Sequence, residues 1–452
     1  MNELVRTETM ESLLGLIGER KFAEARAIII ELNVVDIAET IEDIEDPAKL
    51  LFIFRLMPKE MAAEVFAYLE HEAQQRIVED MTDRELARIV DELFLDDTVD
   101  FIEEMPANIV KRVLKLADHE TRRQINVLLK YPEDSAGSLM TIEMMELDKG
   151  LSVRDAIAAI RRQSADKESL STCFVTTRDR KLEGVVDLHT ILASRDEEHI
   201  EEIMDDDVIS VNTHDDQNEV AMLFKKYDLL VMPVVDNENR LVGLITIDDI
   251  VDVIEEENTE DMYRMAAVVP DDETYLKSGV WATARNCMPW LLILMVSSTV
   301  TSFIIRGYEE ALLAIVVLTN YIPMLMDTGG NAGSQSSVMI IRGLALGEIE
   351  MKNTFKVVWK EFRVGILCGI GLSVFNFFKL MWFDGLDPLV AFTICGTLAC
   401  TVIVAKLCGG ILPIFAKRIG LDPAVMAAPL ITTIVDAISL IIYFSLATLL
   451  LL

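Results

Sequence analysis

A single aspartate, Asp436, lies about halfway along the apolar run ITTIVDAISLII. Pro429, Thr432 and Ser439 recur with it at i, i+3, i+7 and i+10, which places all four on one helix face. A carboxylate facing lipid costs roughly 3 kcal/mol, so a mid-membrane aspartate needs a reason. Asp436 therefore either lines a polar path or is a structural group, protonated or paired with Lys406 of the preceding apolar segment.

A second polar stripe runs through an earlier apolar segment. Pro323 and the run Gly329-Gly330-Asn331-Ala332-Gly333 are expected to loosen its helix, although such glycines equally permit close helix packing. The members of the stripe recur at helical spacing: Asn320, Asp327, Asn331, Ser334 and Gln335.

The two stripes offer carboxylate, amide and hydroxyl oxygens, and no His follows residue 214. Such ligands suit a hard cation such as Mg²⁺, Ca²⁺ or Mn²⁺ and disfavour Zn²⁺ and Cu²⁺. Mg²⁺ keeps most of its waters and is commonly held by one or two carboxylates. The spacing leaves the choice among the hard cations open, and also the choice between a channel and a carrier.

Negative charge is concentrated in the first 280 residues. Residues 281–452 hold 11 Lys and Arg against 10 Asp and Glu, so residues 1–280 carry 30 basic and 65 acidic residues, a net charge of −35. A module this acidic repels nucleic acid and attracts cations. Eight carboxylates crowd into 14 residues at its end: Asp248, Asp249, Asp252, Glu255, Glu256, Glu257, Glu260 and Asp261. Like charges at i, i+3 and i+4 destabilise a helix, so bound divalent cations are expected there, with Asp422 joining the cluster.

Five segments are long and apolar enough to span a bilayer: 286–305, 311–341, 363–383, 388–415 and 424–452. Basic residues concentrate in the loops after the second and fourth spans, which makes those loops cytoplasmic. The first span then enters from the cytoplasm, and the C-terminus lies outside. No signal peptide is indicated at the N-terminus, and no disulfide framework is expected.

Two internal repeats organise the acidic half. Met57-Pro58, Met81-Thr82 and Met105-Pro106 recur every 24 residues, which predicts stacked helical hairpins with an acidic, solvated face. Residues 138–256 contain a longer repeat, in which Met140 aligns with Met204 and Gly184 with Gly243. Each copy predicts strand, helix, two strands joined by a turn (Glu183-Gly184 in the first, 237–240 in the second) and a final helix. This repeat resembles a tandem pair of cystathionine-β-synthase (CBS) domains, and such pairs commonly bind adenine nucleotides, so ATP is a possible ligand of the pair.

The order of these parts, with GGNAGSQSS in the second span and DPAVMAAPLITTIVD before and within the fifth, resembles the MgtE family of magnesium channels. The resemblance implies a multidomain fold: an all-α superhelical N domain (1–135), two α/β CBS domains (136–200 and 201–256), a connecting helix (257–284) and an all-α membrane domain of five helices (285–452). It also implies an inner-membrane homodimer with its pore on the dimer axis.

The resemblance further implies roles for individual residues. Asp436 binds hydrated Mg²⁺ in the pore, with backbone carbonyls near Thr432 assisting, and Asn331 is placed in the same pore site. Ala428, before Pro429, stands where relatives carry an amide side chain, and this departure bears on ion selectivity. Regulatory Mg²⁺ sites are implied at ten acidic residues: Glu64, Asp96, Asp100, Asp216, Asp228, Asp249, Asp252, Glu257, Glu260 and Asp422.

A negative-feedback gate follows as a hypothesis: Mg²⁺ fills the acidic interfaces and stabilises the closed state, and its loss lets the acidic module repel itself apart. Two other functions are alternatives to this hypothesis. An intramembrane hydrolase would need a second carboxylate facing Asp436, and Asp327 is the candidate. A transporter of an anion or osmolyte would fit poorly with a buried Asp and no Arg inside the spans.

Overall fold

The computed structural model describes residues 3–42, 44, 46–164, 167–270, 275, 278–309, 315–426 and 428–451; within these, the side chains of residues 3–7 and of Ala428 are not described. The chain divides into two compact units, Met1–Ile254 and Glu255–Leu452, and each is described by itself. The side chain of Ala428, at the position where relatives carry an amide, therefore lies outside what the structure describes.

Short helices build the first half of the first unit. Their hairpins repeat as predicted: Pro58, Thr82 and Pro106 are the N-caps of α5, α7 and α9, and the methionine before each cap is buried. A helix cannot extend backward through such a cap, so each recurrence starts a new hairpin. The bounds are α1 Glu3–Gly18, α2 Phe22–Glu31, α3 Val34–Glu42, α4 Pro47–Phe54, α5 Lys59–Ala67, α6 His71–Asp80, α7 Asp83–Glu92, α8 Leu95–Glu103, α9 Ala107–Leu116 and α10 His119–Leu128.

Two small mixed sheets follow, one per CBS repeat, and confirm the α/β pair. In each, the first strand pairs parallel with the second and the second pairs antiparallel with the third, in the orders β1-β2-β3 and β4-β5-β6. The elements are β1 Glu146–Asp148, α11 Val153–Gln163, β2 Thr172–Thr176, β3 Leu182–Asp187, α12 Leu188–Ala193, α13 Ile200–Ile203, β4 Val211–Asn212, α14 Gln217–Tyr227, β5 Val231–Val235, β6 Leu241–Thr246 and α15 Ile247–Met265.

Each CBS repeat completes the sheet of the other. Met204, which opens the second copy, packs on Gly184 of the first, and Met140, which opens the first, packs on Gly243 of the second. The turn predicted at Glu183-Gly184 is wrong, because both residues lie inside β3 and the turn falls at residues 177–181. Gly184 is instead a site of close approach, where a Cβ would lie 2.8 Å from the Asp205 carbonyl oxygen. The predicted turn at 237–240 is confirmed between β5 and β6.

Long helices make up the second unit after the end of α15: α16 Val280–Gly307, α17 Ile322–Ala345, α18 Thr354–Trp382, α19 Pro388–Arg418 and α20 Ala428–Leu451. The single connecting helix predicted at 257–284 does not form over the described residues, since α15 already begins at Ile247 and ends at Met265, and residues 266–270, 278 and 279 are not helical. Pro270 falls in this irregular stretch, and proline cannot continue a helix.

Four helical segments of the described chain are long and apolar enough to cross a membrane, judged by length and composition: Val280–Gly307, Met351–Trp382, Pro388–Arg418 and Pro423–Leu451. The predicted second span corresponds to α17, which carries the polar stripe and is not among the four. Its helix starts at Ile322, after a 3₁₀ turn over Val316–Tyr321. Residues 311–314 of the predicted span lie outside the described residues. The expected loosening by Pro323 and the glycines is wrong, because Pro323 lies in the first turn and α17 runs unbroken through the glycine run.

The close approach at Gly243 predicts a large effect of one methyl group. Its Cβ would lie 2.5 Å from the Thr141 carbonyl oxygen and 2.8 Å from Met140 Sδ, so Gly243→Ala must push two CBS segments apart. We expect a loss of about 1–3 kcal/mol in the free energy of unfolding of residues 1–254, measured by urea denaturation. Gly15→Ala, on α1 with nothing within 4 Å, is the matched control and should be neutral or stabilising. Equal stability of both variants would contradict the packing described.

Candidate metal sites and polar path

A cluster of carboxylates gathers within the first unit, hereafter the acidic cluster: Asp96, Asp97, Glu143, Glu168, Asp248 and Asp249. It joins three parts of the chain that the sequence keeps apart. Asp96 and Asp97 open α8, Glu143 and Glu168 lie in the first CBS repeat, and Asp248 and Asp249 open α15.

Local hydrogen bonds hold parts of this cluster in place. The Asp97 backbone N–H donates to Asp96 Oδ1 at 3.0 Å, and Thr246 Oγ1 donates to Asp249 Oδ2 at 2.5 Å. Asp96 is 8% exposed, so this member of the acidic face predicted to be solvated is buried, whereas Asp91 and Asp100 are exposed as predicted. Glu168 Oε2 is also buried, and no hydrogen-bond partner reaches it within the described residues.

The pKa values of four carboxylates in the cluster are raised by burial and by mutual repulsion. Burial, and then the neighbouring carboxylates, raise the pKa of Asp97 and of Asp249 to about 6 and that of Glu168 to about 7. Burial raises the pKa of Asp96 well above its ordinary value in the same way. Among the described residues, no Lys or Arg is one of the main influences on these four groups. Either protons or a cation must therefore neutralise them.

The donor set of the cluster fits a hydrated divalent cation better than a dehydrated one. Carboxylate oxygens are ligands that Mg²⁺ and Ca²⁺ accept. Within the described ranges, however, no three Asp, Glu, His or Cys side chains converge closely enough to hold a metal directly. A cation that keeps its waters can bridge carboxylates at longer separations, and the partnerless oxygen of Glu168 offers it an acceptor.

Some of the predicted regulatory residues lie around Tyr68, beside the cluster. Burial raises the pKa of the Tyr68 phenol, and the charges of Asp248, Asp97, Glu64 and Asp252 raise it further. Glu64 and Asp252 are exposed, as is Asp100 on α8.

Two other predicted residues lie at opposite ends of α14. Asp216 is its N-cap and accepts a hydrogen bond from the Asn218 backbone N–H at 3.0 Å. Asp228 is its C-cap, in a left-handed conformation with φ of 52°. Because an 11-residue helix separates them, the structure does not bring these two carboxylates together.

A second acidic group lies in the second unit, at the end of α15. Arg264 forms ion pairs there with both Glu260 and Asp422. Asp422 thus lies beside the acidic residues at the end of α15, as expected, and the Arg264 guanidinium links it to Glu260. Burial raises the pKa of Asp261, and the charges of Asp422 and Glu257 add to that shift. One cation of the protein thus already offsets part of this group.

Asp436 lies on α20 at its packing interface with α17, and its position depends on glycines. A Cβ at Gly330 would lie 2.8 Å from Thr432 Cγ2, and one at Gly329 would lie 3.0 Å from Val435 Cγ1. These glycines therefore permit close helix packing, the second of the two roles considered for them. Asp436 Oδ1 is buried and has no hydrogen-bond partner among the described residues.

The polar stripe of α17 is exposed in the single chain. Asp327, Asn331 and Gln335 recur every four residues on this open face, and the negative charge of Asp327 acts on Asp436. Lys406 does not pair with Asp436 as the structural alternative required. Its Nζ donates to Gln335 Oε1 at 3.2 Å instead.

Glu361 was not predicted as a site residue, because it lies between Lys360 and Arg363 in a stretch whose charges are typical of a loop. The structure places it inside α18 with 3% of its surface exposed, where it accepts a hydrogen bond from Ser336 Oγ at 2.5 Å. Asp327 is therefore not the only other carboxylate within these helices. The predicted span began at residue 363 and therefore left Glu361 out, whereas the helix begins at Thr354 and includes it.

Comparison with known proteins identifies the family. Residues 322–446 match the family model described as "MgtE: Divalent cation transporter", residues 32–134 match the MgtE intracellular N domain, and residues 200–256 match the CBS domain. The Magnesium transporter MgtE of Thermus thermophilus is 36% identical over 97% of this chain and 98% of its own length. This chain belongs to the MgtE family.

Other relatives agree with this assignment. The Magnesium transporter MgtE of Bacillus subtilis is 30% identical over 98% of this chain and 97% of its own. A solved structure titled "Crystal structure of the cytosolic domain of the Mg2+ channel MgtE in complex with ATP" covers 54% of this chain and 99% of its own, with 33% identity and a TM-score of 0.52. The protein is accordingly a multi-pass membrane transporter with a cytosolic N-terminal part, and not an enzyme.

The raised pKa values predict a pH-dependent stability of residues 1–254. The folded unit binds more protons than the unfolded chain between about pH 4 and pH 7, so its stability falls as pH rises through this window. Without divalent cations, we expect a lower Tm at pH 7.5 than at pH 5, and millimolar Mg²⁺ should remove most of the difference.

Single variants test whether the acidic cluster is responsible. Asp97→Asn should raise the Tm at pH 7.5 without Mg²⁺ and shrink the shift that Mg²⁺ causes. Asp91→Asn removes an exposed charge on α7 and should do neither. Identical behaviour of the two variants would show that the cluster is not the origin of the effect.

Proposed function

We propose that this protein conducts Mg²⁺ across the cell inner membrane past Asp436 and that cytosolic Mg²⁺ closes the path. The partnerless, buried Oδ1 of Asp436 in the middle of α20 carries the first half of the proposal. An isolated carboxylate at that depth needs a positive partner, and a transported cation supplies one. The printed names of the relatives, Magnesium transporter MgtE, support Mg²⁺ as the ion.

The proposed ion site combines Asp436 with Asn331 and the backbone near Thr432. Gly330 brings α17 against Thr432, so oxygens of both helices can face one hydrated ion. A Mg²⁺ ion bound through its waters tolerates this sparse donor set.

The same proposal includes a homodimer. The exposed Asp327, Asn331 and Gln335 would face lipid in a single chain, and the charge of Asp327 alone would cost roughly 3 kcal/mol there. Pairing two chains along this face of α17 would enclose the polar stripe around a common axis and double the number of carboxylates at the ion. The orientation inferred from loop charge places the C-terminus outside.

The regulatory half of the proposal rests on the acidic cluster. Four of its groups have pKa values raised by burial, and no Lys or Arg of the described residues is among the main influences on them, so bound Mg²⁺ would stabilise the arrangement that gathers them. The residues assigned to regulation are those implied by the family resemblance: Glu64, Asp96, Asp100, Asp216, Asp228, Asp249, Asp252, Glu257, Glu260 and Asp422. ATP is proposed as an additional ligand of the CBS pair, on the support of the relative crystallised with it.

Replacing Asp436 tests the ion path. Asp436→Asn keeps the size of the side chain but removes its charge, and we expect Mg²⁺ uptake into proteoliposomes to fall at least a hundred-fold. Asp387→Asn is the matched control, because Asp387 caps α19 and Asn caps a helix equally well. Undiminished uptake by Asp436→Asn would refute the role of Asp436, and competition by Mn²⁺, Co²⁺ and Ca²⁺ in the same assay measures selectivity.

Limited proteolysis tests the gate. Trypsin should cleave the full-length protein between α15 and α16 more slowly in millimolar Mg²⁺ than in EDTA. The double variant Asp97→Asn/Asp249→Asn should lose most of this dependence, since it removes two charges of the acidic cluster. Equal cleavage of the unsubstituted protein in both conditions would contradict closure by Mg²⁺.

A further inference from the structure

Lys406 is a buried cation within the membrane helices that the proposed path does not use. It lies on α19 with 3% of its surface exposed. Among the described residues its ammonium makes one hydrogen bond, to Gln335 Oε1 at 3.2 Å, and no carboxylate lies within 4 Å of it. An amide oxygen carries no net charge, so this contact orients the ammonium without neutralising it.

A buried acid on α18 does not form an ion pair with it among the described residues. Glu361 faces the next turn of α19, where a Cβ at Gly410 would lie 3.0 Å from Glu361 Cγ. Its carboxylate accepts a hydrogen bond from the Ser336 hydroxyl. The adjacent residues Gln335 and Ser336 therefore bind the ammonium and the carboxylate separately.

Helix packing gives the position of this ammonium relative to Asp436. Gly333 of α17 approaches Ile431, and Ser337 Oγ donates to the Met426 carbonyl oxygen at 3.1 Å. Gln335 lies between these two levels, so it is level with the chain between Met426, which precedes α20, and Ile431 in its first turns. Asp436 is five residues beyond Ile431, about 8 Å farther along the axis of α20. Because α20 starts on the cytoplasmic side in the proposed orientation, the ammonium lies between Asp436 and the cytoplasm.

We propose that Lys406 is a specificity-determining residue whose fixed charge lowers the affinity of the Asp436 site for a divalent cation and so promotes its release toward the cytoplasm. This inference rests on the proposed function of Asp436. Conduction requires a site that binds strongly enough to admit the ion and weakly enough to let it leave. A buried carboxylate in a low dielectric would retain a dication, and a positive charge held roughly 10 Å away offsets part of that attraction.

The charge of the ion provides a signature of this mechanism. Coulomb repulsion is proportional to the charge on the ion, so the free-energy effect of Lys406 on Mg²⁺ is twice its effect on a monovalent cation. A fold-change in Mg²⁺ affinity should therefore be about the square of the fold-change for Na⁺ or K⁺ at the same site. A side chain that only maintained helix packing would alter both ions alike.

The experiment uses the full-length protein in proteoliposomes. Lys406→Gln should lower the Mg²⁺ concentration giving half-maximal uptake by about five-fold and should reduce the maximal rate, because release slows. Inhibition of uptake by Na⁺ should strengthen by only about two-fold. Lys406→Arg keeps the charge and should resemble the unsubstituted protein. Lys379→Gln, at a half-exposed lysine near the end of α18, is the control for removing a positive charge elsewhere.

Each outcome has a defined meaning. If Lys406→Gln folds by size exclusion but leaves the half-maximal Mg²⁺ concentration unchanged, or changes it as Lys379→Gln does, the role of Lys406 is overturned. If Lys406→Gln does not fold, Lys406→Met replaces it, since its length is similar and its side chain is apolar. Asp436→Asn in the same assay separates the two claims: retained uptake there refutes the ion path itself, whereas lost uptake with an unaltered Lys406→Gln refutes the present inference alone.

Discussion

Carboxylates that the protein itself does not neutralise are the physical constraint on which this structure depends. In the first unit, burial raises the pKa of Asp96, Asp97, Asp249 and Glu168, and no Lys or Arg in the described part of the chain is among the main influences on them. In the second unit, Asp436 holds a buried oxygen without a partner among the described residues. Each arrangement is stable only when something positive joins it. A protein built in this way is sensitive to the concentration of cations around it.

Close helix packing determines where the membrane carboxylate lies. Gly329, Gly330 and Gly333 let α17 approach α19 and α20 so closely that a Cβ at any of them would lie 2.7 or 2.8 Å from a neighbouring atom. Because α17 remains an unbroken helix, its polar residues stay on one face in a regular spacing. The glycines thus contribute to the path through packing rather than through flexibility, and they present Thr432 and Asp436 beside the polar stripe.

The structure separates two acidic regions that look continuous in the sequence. Asp248 and Asp249 join Asp96 and Asp97 within the first unit, whereas Glu260 and Asp422 share Arg264 within the second. Among the residues that the structure describes, Arg264 pairs with the second region, and no Lys or Arg is a main influence on the first. A bound cation therefore relieves more repulsion in the first region than in the second. The first region is accordingly the better candidate for a sensor of Mg²⁺.

The sequence by itself determined the elements and the chemistry of the ligands. The 24-residue repeat, the tandem CBS pair, the long apolar segments and the isolated Asp436 are local patterns, and periodicity and composition report them directly. Only the tertiary structure decided which carboxylates meet, that Gly184 lies in a strand and not in a turn, that Lys406 bonds to Gln335, and that Glu361 is buried. These facts depend on contacts between residues tens to hundreds of positions apart, and burial at such contacts, rather than residue type, determines whether a charge is solvated or must find a partner.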